Sequence, residues 1–131
     1  MIGLDTNILV RYIMQDDPAQ AATASLLLEA LTPDEPGFVP TVVVVELGWV
    51  LASSYDLDRT QLVAVFETLL RTEAIIVDQA ETVWKAIRLF DRSDADFADC
   101  LIERGAAAAG CERTVTFDRG AAKACGMVLA S

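Results

Sequence analysis

Asp5 follows the apolar run Ile2 to Leu4, and Asp118 follows Thr114-Val115-Thr116-Phe117. Glu46 interrupts a stretch from Val42 to Leu51 that is otherwise almost wholly apolar, and Asp96 and Asp99 flank Phe97 just before Cys100, Leu101 and Ile102. Spacing of three places Asp96 and Asp99 on nearly one face of a helix start, where like charges repel. A carboxylate among apolar neighbours must be paired or neutralised, and a cation removes the penalty. Oxygen ligands of this kind suit Mg²⁺ or Mn²⁺. Each acid also has a plainer reading. Asp5, Asp118 and either one of Asp96 and Asp99 can cap helices by accepting from free backbone N–H groups, and Glu46 can look out from the polar edge of its helix.

The absence of histidine excludes imidazole bases, acids and ligands, and so the Ser/His/Asp and Cys/His nucleophile systems. No G-x-x-x-x-G-K-[ST] phosphate loop occurs. Ten Lys and Arg against twenty Asp and Glu leave a net charge of −10, which excludes an ordinary basic surface for phosphates. Any nucleic acid must be held locally, and Arg11, Arg92, Arg119 and Lys123 are the candidate local cations. Cys100, Cys111 and Cys125 show no C-x-x-C spacing, so they read as small core residues in a reducing compartment. Asp5 precedes the first basic residue, Arg11, the wrong order for a secretory signal, and no apolar stretch approaches the ~18 residues of a membrane span. An unprocessed cytoplasmic protein is expected.

Length predicts one domain spanning residues 1–131. Ile2 to Leu4 is predicted as a strand, followed by a helix capped by Thr6 that Asp16-Asp17-Pro18 stops. The next helix fades at Thr32-Pro33, and Phe38-Val39 form a second strand between Gly37 and Pro40. For Thr41 through Ala52 the valines favour strand, whereas Val42, Val45, Trp49 and Val50 share one face of a helix; helix is the reading adopted. Asp58 caps a helix to Arg71, Ala74 to Val77 form a third strand, and a helix follows to about Arg92. A helix over Phe97 to Ala109, a strand over Arg113 to Phe117, a helix over Asp118 to Ala124 and a strand over Met127 to Leu129 complete the chain. Alternation of this kind predicts an α/β fold, a parallel sheet between helix layers, whose ligand crevice lies beyond the C-terminal strand ends, where Asp5 and Asp118 fall.

Ile-Gly-Leu-Asp5-Thr-Asn-Ile-Leu-Val-Arg11, Glu46 in its Val-rich stretch, Asp96-Phe-Ala-Asp99-Cys-Leu-Ile and Thr116-Phe-Asp118-Arg resemble, in order and spacing, a PIN domain. The small size resembles the VapC-type toxins of bacterial toxin–antitoxin pairs. The resemblance implies a parallel sheet of order 3-2-1-4-5 and an acidic metal site of Asp5, Glu46, Asp99 and Asp118, with Asp96 a further ligand and Thr6, Asn7 and Thr116 beside it. It also implies a Mg²⁺-dependent endoribonuclease, with Mn²⁺ a substitute, and an antitoxin protein as partner. Two other readings stand beside this one. Asp5 could be a phospho-accepting nucleophile, as in aspartyl-phosphate phosphatases or receiver domains, although Asp5-Thr-Asn lacks the acid that such phosphatases place two residues later. A non-catalytic PIN-like protein-binding module is the other. Tyr12, Leu26, Leu27 and Trp49 exceed what a short chain readily buries and point to a homodimer, unless all belong to the core.

Overall fold

Short strands and longer helices alternate from end to end in the computed structural model, which describes residues 1–131. The chain divides into two compact units, one of residues Met1–Leu57 and Thr68–Asp78, the other of Asp58–Glu67 and Gln79–Ser131. No helix is long and apolar enough to cross a membrane.

The first unit holds β1 (Ile2–Gly3), α1 (Thr6–Met14), α2 (Pro18–Glu29), β2 (Gly37–Val39), α3 (Thr41–Tyr55), the end of α4 (Arg59–Arg71) and β3 (Ile75–Val77). β2 lies between β1 and β3 and pairs with both in parallel, Gly37 standing opposite Ile2 on one side and Ile75 on the other. A Cβ at Gly37 would lie 2.7 Å from Leu4 Cδ1 and 2.9 Å from Leu31 Cδ1, so a larger residue here makes these side chains shift. Leu4, itself buried, is seated at the end of β1, directly before Asp5. Gln15 ends α1 in the left-handed region (φ 52°), and Asp17 caps α2 through the Gln20 N–H at 3.1 Å, with Pro18 in its first turn.

α3 decides between the two readings of the valine run. Its buried residues are Val43, Val44, Leu47, Gly48 and Leu51, which recur at three- and four-residue steps and not at alternate positions. Packing against the core outweighs the weak strand preference of β-branched residues. The buried face is not the one expected, because Val42 and Trp49 are 76% and 68% exposed. Tyr12 and Leu26 are exposed too, so these bulky residues do not all belong to the core.

The second unit contains the start of α4, α5 (Ala80–Asp91), α6 (Phe97–Ala108), β4 (Val115–Thr116), α7 (Arg119–Cys125) and β5 (Val128–Leu129). Asp58 and Gln61 form a reciprocal capping box at the start of α4, at 2.8 and 2.9 Å. Phe66 stacks on Phe97 at 4.6 Å, and Phe90 meets the same ring edge-on at 5.8 Å. Arg59 lies 3.9 Å over the Phe90 ring and donates to the Phe90 carbonyl at 2.7 Å, closing the end of α5. Phe97 is the first residue of α6, so this aromatic cluster anchors the turn that carries Asp99. Cys100 and Cys125 are buried as expected; Cys111 is exposed, a correction to its reading as a core residue, because it lies beyond the end of α6 after Gly110 (φ 97°).

β4 pairs in parallel with β5, Val115 opposite Val128. The ladders thus reproduce the 3-2-1 and the 4-5 portions of the expected order as two sheets. Except for β2, which also takes in Gly37, the strands are shorter than predicted, at two or three residues each.

Candidate active site

Asp5 leaves β1 in extended conformation (φ −80°, ψ 159°) and caps α1, its Oδ1 accepting from the Thr6 N–H at 2.8 Å. The expected cap, Thr6, is instead the first residue of the helix. Thr6 is 3% exposed, and its hydroxyl donates to Glu46 Oε1. A buried hydroxyl must find a partner, and the one available reaches it from α3. Glu46 is exposed as a residue, so the polar-edge reading holds for it, yet one carboxylate oxygen is held in place beside the residue that follows Asp5. Asn7 is exposed at the start of α1. Arg11 is committed elsewhere, donating to Gln20 at 2.7 Å, Tyr55 at 3.0 Å and Asp16 at 3.3 Å.

In the second unit Asp96 caps α6 through the Ala98 N–H at 2.9 Å, and Asp118 caps α7 through the Ala121 N–H at 3.1 Å. The Asp118 N–H in turn donates to Thr116 Oγ1 at 3.0 Å, which fixes the turn after β4. Each cap uses Oδ1, so the other oxygen of each carboxylate takes no part in the cap bond. Asp99 lies in the first turn of α6 and is half-buried, because Phe97, Cys100 and Leu101 around it are packed inward. Burial pushes its carboxyl above the ordinary value of 3.8, and the charges of Asp96 and Asp118 push it the same way. These three acids, with Asp94, Arg92 and Lys123, line a cleft of about 590 Å³. Asp94 is an addition to the acids expected from the sequence, where its only signal is the acidic run Asp94-Ala95-Asp96 ahead of the helix.

Asp99 is the group that calls for a cation. It is partly desolvated, repelled by two like charges, and given no salt-bridge partner within the unit. Within neither unit do three acidic or thiol groups close into a ready cage. Carboxylate oxygens as donors suit hard divalent cations and not soft metals.

The sequence model of the PIN domain family matches residues 2–127. The chain belongs to the PIN domain family. It is 28% identical over 116 residues to a VapC ribonuclease of Aquifex aeolicus (strain VF5), an alignment covering 88% of this chain and 86% of that protein. The PIN match takes in every acid discussed here, from Asp5 to Asp118. Within the PIN domain Asp96 and Asp118 act as helix caps whatever else they bind, and Thr6 serves Glu46 instead of capping.

Proposed function

We propose that this PIN domain is a metal-dependent endoribonuclease that hydrolyses RNA phosphodiester bonds and serves as the toxin of a toxin–antitoxin pair. The observation that carries the reading is Asp99, half-buried under the charges of Asp96 and Asp118 at the wall of an open cleft. Membership of the PIN family and similarity to a VapC ribonuclease supply the reaction class.

Asp5, Glu46, Asp99 and Asp118 are assigned to the reaction, with Asp5, Asp99, Asp118 and Asp96 as the groups that hold Mg²⁺ or Mn²⁺. A divalent ion so bound supplies the positive charge that lets a phosphodiester approach the acids and lowers the pKa of water for attack at phosphorus. Asp96 and Asp118 are pre-oriented for ligation because their Oδ1 atoms are held by helix N–H groups. Glu46, with Oε1 fixed by Thr6, keeps Oε2 to orient the attacking water and accept its proton. Water is the nucleophile in this scheme, so the RNA 2′-hydroxyl is not consumed and the product carries a 5′-phosphate.

Asp5→Asn tests the reading: asparagine retains the oxygen that accepts from Thr6, so the fold survives while a ligand charge is lost. Cleavage of single-stranded RNA in Mg²⁺ is expected to fall at least about 100-fold. Undiminished cleavage in excess EDTA overturns the proposal. Residues 1–131 act as one functional domain in the cytoplasm, with an antitoxin protein and a second copy as partners. The exposed Leu26, Val42 and Trp49 are apolar surface for such partners to cover, and light scattering reports the dimer directly.

A further inference from the structure

Of the ten Lys and Arg residues, Arg11, Arg59, Arg71, Lys85, Arg88 and Arg104 each hold a partner within the protein. The side chains of Arg92, Arg113, Arg119 and Lys123 hold none, and all four belong to the second unit. Arg92 and Lys123 line the cleft that contains Asp96, Asp99 and Asp118. In a chain of net charge −10, leaving the unpaired cations beside the acids keeps positive charge for something that is not part of the protein.

Phe117 stands between Thr116 and Asp118 and is 84% exposed. Both neighbours are fixed: the Thr116 carbonyl accepts from the Ala130 N–H at 2.9 Å, and the Asp118 N–H is tied to Thr116 Oγ1. The ring is therefore presented to water by a held backbone, at the cost of most of its burial energy. An exposed ring directly before Asp118, a residue of the cleft that Arg92 and Lys123 also line, matches the pattern by which proteins hold single strands, bases stacking on aromatic faces and phosphates pairing with Lys and Arg. A duplex, whose bases are already stacked, offers the ring nothing.

We propose that Phe117 is a base-stacking platform and that Arg92 and Lys123 grip backbone phosphates of a single-stranded RNA lying along the cleft. The inference rests on the ribonuclease reading and names how that site holds its substrate. It is tested with the full chain by fluorescence anisotropy, using a labelled single-stranded RNA and an abasic strand of equal length, with Ca²⁺ replacing Mg²⁺ to prevent turnover. Phe117→Ala is expected to weaken RNA binding about tenfold, within the range for one stacked base, and to leave the abasic strand unaffected; Phe117→Trp restores binding. Arg92→Ala and Lys123→Ala should weaken both strands, each lowering the slope of log affinity against log salt by about 0.7. Equal weakening of both strands by Phe117→Ala, no weakening at all, or failure of Trp to restore it overturns the stacking role. An unchanged salt slope overturns the phosphate role. If the unsubstituted protein cleaves RNA in Mg²⁺ while these outcomes fail, the inference alone falls; if it neither binds nor cleaves RNA, the ribonuclease reading falls with it.

Discussion

The hydroxyl of Thr6 donates to the carboxylate of Glu46, forty positions along the chain, and so joins the residue after Asp5 to the outer side of α3. The donor is buried and the acceptor faces water. That asymmetry separates what the bond does for stability from what it does for the site.

Thr6→Val keeps the buried volume and removes the donor, while the freed Glu46 carboxylate is hydrated. The loss of stability is expected to stay near about 1 kcal/mol, read as a urea midpoint. RNA cleavage should fall by a larger factor, because Glu46 loses its fixed orientation. Thr6→Ser, which restores the hydroxyl, should recover cleavage.

Asp99 predicts a pH dependence of the opposite sign to an ordinary ion-paired acid. Its folded-state pKa lies above the ordinary 3.8, so the native state binds the extra proton between the two values. Its contribution to stability is fully present below 3.8 and is lost as pH rises through the raised folded value. Asp99→Asn, which removes the repulsion with Asp96 and Asp118, should therefore be more stable than the parent at neutral pH without added metal. The difference should shrink as the solution is acidified. Paired urea titrations at neutral and acidic pH check both statements.

Gly37→Ala drives a methyl group into the ends of Leu4 and Leu31. Overpacking of this kind costs about 1–3 kcal/mol, and the displaced Leu4 shifts the chain just before Asp5. A lowered Tm with impaired cleavage is expected. A parent-like Tm shows that the leucines rearrange freely.

The three cysteines should divide in native alkylation. Cys111 is exposed and reacts first, whereas Cys100 and Cys125 are buried. Burial pushes the Cys100 thiol up to about 12, with the Cys125 thiol adding to the effect, so its thiolate is scarce. Mass spectrometry should find one fast modification in native protein and three in denaturant.

The order of elements was legible from residues 1–131 because its signals act over a few positions. Pro18 in the first turn of α2, Asp58 with Gln61 at the start of α4, and Gly110 after α6 each work within one turn of backbone. The candidate acids could be singled out for a similar reason, since a charge beside an apolar run is visible without coordinates. Tertiary structure alone decided which face of α3 is buried, that Thr6 reaches Glu46 instead of capping, that Arg11 is tied to Asp16 and Tyr55 while Arg92 and Lys123 have no partner, and that Asp99 is desolvated beside Asp96 and Asp118. Those properties depend on burial and on partners distant along the chain. Solvent exclusion and pairing exist only once separate segments have packed, so no local pattern of residue types encodes them.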